Sequence, residues 1–136
     1  MAEYHEFDIN EMQKHVNYAK TNWLNVHGLN ENKVIKGIGD YLGVDNFMLS
    51  DILNTTKRTK LDECHDTLFF NVKSLLPEED TNNIKVEQIS FLLKNCILVS
   101  FQEKRSDFFT HIRERITEPF LALLGLNKLI ICCIYC

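Results

Sequence analysis

Leu49-Ser50-Asp51-Ile52-Leu53-Asn54-Thr55-Thr56-Lys57-Arg58-Thr59-Lys60 joins a short apolar helix carrying one carboxylate to a basic loop. Reading outward, that helix starts at Asp45 and places Met48, Leu49, Ile52 and Leu53 at spacings of one, three and four, a stripe directed at a core. Asp51 lies off the stripe, so its carboxylate is expected to point toward solvent or a neighbour. The preceding helix opens near Asn30, carries Val34, Ile35, Ile38, Tyr41 and Leu42 on one face, and stops at Gly43, a residue that accepts the left-handed conformation of a helix end.

After the loop the period changes. Leu61 to Leu76 and Ile84 to Phe101 are rich in β-branched and aromatic residues and read as strands. Pro77 to Asn83 is a polar turn between two of them, and Lys94-Asn95 is a tight break, so the strands pair antiparallel. Upstream, Asp8-Ile9-Asn10-Glu11 has the form of a capping box before a helical run holding Met12, His15, Val16 and Ala19, and Trp23 to His27 is a strand ended by Gly28. Downstream, Ser106 caps a last helix with Phe109, Ile112 and Ile116 as its apolar stripe and Arg113, Glu114 and Arg115 largely off it. The order β-α-β-α-α-β-β-β-β-α predicts an α/β (α+β) fold, a mixed, largely antiparallel sheet flanked by helices.

The 136 residues suffice for one domain with a sizeable core, and 45% apolar with 25% charged residues is the composition of a globular protein. A net charge of −4 repels rather than recruits a phosphate backbone, which argues against nucleic acid as a partner. The first residues offer neither a basic nor an apolar export region, so a cytoplasmic setting is expected. Five cysteines, two isolated at Cys64 and Cys96 and three crowded at Cys132, Cys133 and Cys136, do not form a framework of bridges and are expected reduced.

The quoted stretch, together with Trp23-Leu24-Asn25-Val26, Glu87-Gln88-Ile89-Ser90-Phe91, Ser100-Phe101-Gln102-Glu103-Lys104 and Arg113-Glu114-Arg115-Ile116, resembles the N-terminal cytosolic domain of the CorA family of divalent-metal (magnesium and cobalt) channels, over residues 22 to 116. The resemblance implies a regulatory domain at the cytoplasmic face of the membrane, working in a homo-oligomer that is a pentamer in full-length members. It also implies no enzyme activity and a metal position at Asp51, where the family's Asp helps hold a regulatory Mg2+ between adjacent domains; Co2+ and Zn2+ stay open as alternatives. Ser50 stands where the family usually has a second acid. A stand-alone protein-interaction module on the same scaffold, or the cytosolic domain of a zinc-transporting relative, are the alternative readings.

Residues 1–116 are thus expected to form the CorA-like domain, and 117–136 an apolar tail that departs from the family pattern, as in a truncated or frame-shifted chain. The stalk helix, membrane helices and Gly-Met-Asn loop of the family have no counterpart in the sequence. The tail from Pro119 approaches the length of a membrane span, but Lys128 near its middle costs about 2.5 to 3.5 kcal/mol on insertion, so a span is not expected. Elsewhere, Asp62-Glu63-Cys64-His65-Asp66 gathers five metal-ligand types, yet alternation along a strand would send Cys64 and His65 to opposite faces. Gly37 to Gly43 has glycines but lies inside a helical pattern, not after a strand as a phosphate loop requires. Lys57, Arg58 and Lys60 read as a solvated basic loop, or as a contact for an acidic neighbouring subunit. No Ser/His/Asp or Cys/His catalytic arrangement follows from spacing.

Overall fold

Two residues with positive φ, His65 at 54° and Asn95 at 52°, make the tight reversals that organise half of the sheet. A computed structural model describes residues 2–5, 9–77, 83–104, 108–117 and 129–135, with side chains for 9–75, 83–104 and 108–115. Within it, β3 (Lys60–Cys64), β4 (Thr67–Pro77), β5 (Ile84–Lys94) and β6 (Ile97–Gln102) pair antiparallel in succession. The second reversal is Asn95-Cys96, one residue beyond the break read from the sequence; Asn supplies the left-handed backbone that matches the twist of the flanking strands.

The other half is parallel. Strand β2 (Thr21–His27) pairs with β6 on one side and with β7 (Leu129–Tyr135) on the other, and β7 pairs with β1 (Ala2–His5). The result is one seven-stranded mixed sheet in the order β1-β7-β2-β6-β5-β4-β3. Helices α1 (Ile9–His15), α2 (Asn32–Leu42), α3 (Asn46–Leu53) and α4 (Thr110–Thr117) complete the α/β architecture. The Asp8 cap, the polar turn at 78–82, the Ser106 cap and the tail from 118 through Lys128 lie outside the described residues. No helix among the described residues is long and apolar enough to cross a membrane.

Alternation along the strands sorts the sheet into two covered faces. Leu24, Val26, Val99, Phe101, Leu92 and Phe69 pack against Ile35, Ile38 and Leu42 of α2 and Met48, Leu49 and Ile52 of α3, with Met12 of α1. On the opposite face Trp23 and Ile89 pack with Phe109. The Trp23 and Phe109 rings meet edge-on with centroids 5.3 Å apart, and Phe91 meets Phe109 at 5.9 Å.

Local chemistry sets most helix ends. Gly43 adopts φ 63°, ψ 45°, its N–H donating to the Asp40 carbonyl and that of Val44 to the Gly39 carbonyl, which closes α2. Asp45 then caps α3 by accepting from the Phe47 N–H at 2.8 Å. The first helix is shorter than its apolar pattern predicts: it stops at His15, and the Asn17 side chain takes the Ala19 N–H at 3.0 Å, offering the backbone a turn in place of another helical bond.

The last helix also differs from expectation. It begins at Thr110, so Phe109 seats on the sheet just ahead of it and the residue one turn on, Arg113, follows inward; Arg113 is 8% exposed and Ile112 is 46% exposed.

Where α2 crosses α3, a Cβ on Gly39 would lie 2.4 Å from Cδ1 and 2.8 Å from Cδ2 of the buried Leu49. Gly39→Ala would gain about 1 kcal/mol of helix propensity. Forcing Leu49 out of its place costs roughly 1–3 kcal/mol. The expected outcome is a net loss of about 1 kcal/mol, read as a lowered urea midpoint; a raised midpoint would refute the close crossing.

Candidate functional site

Asp51 stands at the last turn of α3, a short helix whose rotation is set by Met48, Leu49 and Ile52. Of the two directions its place off the stripe allows, it takes the one toward neighbouring side chains and not solvent: it is 4% exposed, whereas Leu53, assigned to the stripe, is 37% exposed. The reason lies in the loop that follows. Asn54 accepts at Oδ1 from the Thr56 N–H and hydroxyl, at 3.2 Å and 2.7 Å, and this turn brings the chain back over the helix end.

Lys57 thereby reaches Asp51 Oδ1, and Lys60, entering β3, reaches Asp51 Oδ2 and also Asp62 Oδ2. The two lysines therefore pair with carboxylates of their own chain while their side chains stay part-exposed, so the loop read as solvated also holds Asp51. Arg58 remains exposed.

The sheet beneath fixes this arrangement. The Lys60 N–H donates to Asn71 Oδ1 at 2.7 Å, and its ammonium lies 5.8 Å from the centre of the Phe69 ring. Gln88 Nε2 approaches the Asp51 carbonyl at 3.4 Å, while Lys73 bonds both Gln88 Oε1, at 3.0 Å, and the Thr55 carbonyl. Asn71 Nδ2, also buried, has no hydrogen-bond partner. Outside, Asp45, Asp51, Lys60, Asp62 and Glu63 line a cleft of about 210 Å³.

Burial pushes the Asp51 carboxyl pKa up, but hydrogen bonds and charge from Lys57 and Lys60 outweigh it and hold the group below its ordinary 3.8. Hydrogen bonds to Asp51 and Asp62 raise Lys60 in turn. Because the folded-state pKa of Asp51 lies below the unfolded value, its contribution to stability is present above about pH 4 and is lost as pH falls through the folded value. Asp51→Asn is therefore expected to flatten the acid side of the stability curve, checked by thermal melts between about pH 5 and pH 2. An unchanged acid slope would contradict the ion-pair assignment.

Around Asp51 this chain presents donors. Magnesium takes oxygen ligands, keeps several waters and is held by one or two carboxylates. Both oxygens of Asp51 already serve ammonium groups, the nearby orphaned group is an amide donor, and no set of three His, Cys, Asp or Glu side chains converges on one point among the described residues. The groups as placed do not fit a divalent ion.

A second polar assembly was not legible in the sequence. Trp23 Nε1 donates to Ser100 Oγ at 2.9 Å, Ser100 Oγ donates to Asn25 Oδ1 at 2.8 Å, and Gln102 Nε2 donates to the same oxygen at 3.0 Å. Asn25 Nδ2 lies 2.9 Å from His27 Nε2, and Gln102 Oε1 accepts from the Phe108 N–H at 3.0 Å. Asn25, His27, Ser100 and Gln102 are fully buried. The parallel register of β2 on β6, which sets Asn25 opposite Ser100 and His27 opposite Gln102, brings them together. Glu87 accepts from the Lys104 N–H and Glu103 from the Gln88 N–H, each at 3.0 Å. The polar residues of three separated sequence segments thus interlock inside the fold.

Cys64 and His65 do not alternate along one strand as expected. β3 ends at Cys64, His65 turns the chain, and Cys64 Sγ lies 3.1 Å from His65 Nδ1. Both side chains border a cleft of about 530 Å³ with Asp45, Asp66 and Lys94. Cys64 and Cys96 are free thiols.

These features define an α/β domain with helices on both faces of a mixed sheet and a charged cluster at one helix end. A family model described as "CorA-like Mg2+ transporter protein" matches residues 18–129, and the chain belongs to that family. It is 30% identical over 120 residues to the cobalt/magnesium transport protein CorA of Thermotoga maritima, an alignment covering 85% of this chain and 34% of the relative. The chain spans about a third of the length of that curated relative.

Proposed function

We propose that this chain acts as the cytosolic regulatory domain of a CorA-like magnesium/cobalt transport protein, at the cytoplasmic face of the membrane, with Asp51 as the position through which a divalent cation acts at a boundary between subunits of a homo-oligomer. Family membership supports the transport assignment. The observation that carries the regulatory part is the placement of Asp51: a carboxylate at a helix end, gripped by a loop whose two lysines are 44% and 35% exposed. An equilibrium between assemblies shifts only as far as the ion discriminates between them, and such a carboxylate can be released where a fully enclosed one cannot.

Size-exclusion chromatography with and without millimolar magnesium tests the proposal, and a metal-dependent oligomer is expected. A monomer indifferent to magnesium would favour a stand-alone interaction module. That second reading draws on the distal half of the β4–β5 hairpin, where Leu75 and Val86 sit opposite each other and both are more than half exposed, with Ile84 beside them.

A further inference from the structure

We propose that Cys64 is a thiol set up to react with low-molecular-weight disulfides, with His65 as its proton acceptor and the cleft between the α2–α3 turn and the β3–β4 hairpin as the place where the disulfide enters. The site stands apart from the divalent-cation reading and uses neither Asp51 nor its lysines.

The two residues are adjacent in sequence, and strand alternation would send them to opposite faces. The left-handed backbone of His65, φ 54°, ends the strand and cancels that alternation, which leaves Nδ1 3.1 Å from Sγ. A base at that distance turns a thiol into the thiolate, the form that attacks disulfides. Access is built in as well. Val44, Asp45 and Met48 form one wall of a cleft of about 530 Å³, and Cys64, His65 and Thr67 the other. Lys94 ties the walls together, its ammonium 3.2 Å from Asp66 Oδ1 and 3.4 Å from the Gly43 carbonyl. A cleft of that volume is within the range that holds small molecules. Cys96 is the internal comparison. It is a free, half-buried thiol like Cys64, but its sulfur meets the amide Nδ2 of Asn22 at 3.7 Å, a donor that takes no proton.

In the step, the Cys64 S–H proton passes to His65 Nδ1 and the thiolate attacks one sulfur of the disulfide. A bond forms from Cys64 Sγ to that sulfur while the disulfide's own S–S bond breaks; the departing sulfur keeps the electron pair and takes the proton from His65. Cys64 is thereby oxidised to a mixed disulfide, and half of the reagent is reduced to a free thiol. A second free thiol reverses the exchange.

The test treats the whole chain with excess bis(hydroxyethyl) disulfide at neutral pH and follows each cysteine separately by mass spectrometry of its peptide. A positioned base contributes about 10²–10⁴-fold, so Cys64 is expected to be modified at least about tenfold faster than Cys96. His65→Asn keeps a residue that tolerates left-handed backbone and removes the base. It is expected to slow Cys64 at least about tenfold and to leave Cys96 unchanged. Equal rates at the two cysteines of the unaltered chain, or a Cys64 rate indifferent to His65→Asn, would overturn the proposal. Should that variant not fold, the unaltered chain in concentrated urea decides: the advantage of Cys64 is expected to vanish with the fold, and its persistence would overturn the assignment to this cleft.

Discussion

Asn25→Ala is expected to cost about 4 kcal/mol of unfolding free energy, since a buried polar group that loses a hydrogen-bond partner costs about 1–3 kcal/mol and this substitution takes one partner from each of three buried side chains. Asn25 Oδ1 is the shared acceptor of Ser100 Oγ and Gln102 Nε2, and Asn25 Nδ2 meets His27, all beyond the reach of solvent. Removing the side chain also opens a void between β2 and β6. Urea unfolding followed by circular dichroism is the measurement, because Trp23 belongs to the network and its fluorescence would report the local change as well. A double-mutant cycle sharpens the result: with Asn25 already absent, Ser100→Ala should cost much less than it does alone. A loss under about 1 kcal/mol, or strictly additive losses, would show that these contacts do not support one another.

Lys57→Met/Lys60→Met is expected to destabilise the chain by about 3 kcal/mol, the low end of what breaking a buried ion pair costs, since both lysines are partly exposed and screened. The change in pH dependence is the more telling result. In the unaltered chain Asp51 titrates below its ordinary value, so stability falls as acid is added. Without the ammonium groups only burial acts on the carboxyl, which moves its pKa above the unfolded value; its contribution is then full below about pH 4 and is lost as pH rises through the new folded value. The slope near that pH should reverse sign. Thermal melts across the acid range read it, and a variant with an unaltered slope would mean that the lysines do not govern Asp51.

The sequence made the element order from β1 to α4 legible because local chemistry marks each boundary. Gly28, Gly43, Asp45 and Asn95 act within a few residues of themselves, and period two against period three or four separates strand from helix. Other features depend on partners brought from afar. Asp51 is buried by lysines six and nine positions on, after a turn that Asn54 builds with its side chain. The interior place of His27 follows from the register of β2 on β6, which no local pattern records. Arg113 turns inward because Phe109 docks before the helix begins, an orientation decided by Trp23 some 86 positions earlier. Polar residues within the resemblance-bearing segments, among them Asn25, Ser100 and Gln102, were visible as a pattern; that they interlock was not.

The insertion of β7 between β1 and β2 has a consequence for how the molecule is made. Thr21 waits for Leu129, 108 positions later, before its strand gains that flank. At a translation speed of about 5–20 residues per second, one row of main-chain donors and acceptors stays open for roughly 5–20 seconds on the ribosome. During that interval a bare strand is a template for any passing extended segment. The nascent chain is therefore most exposed to mispairing after its helices have formed, and a chaperone that shields extended backbone would act in that interval.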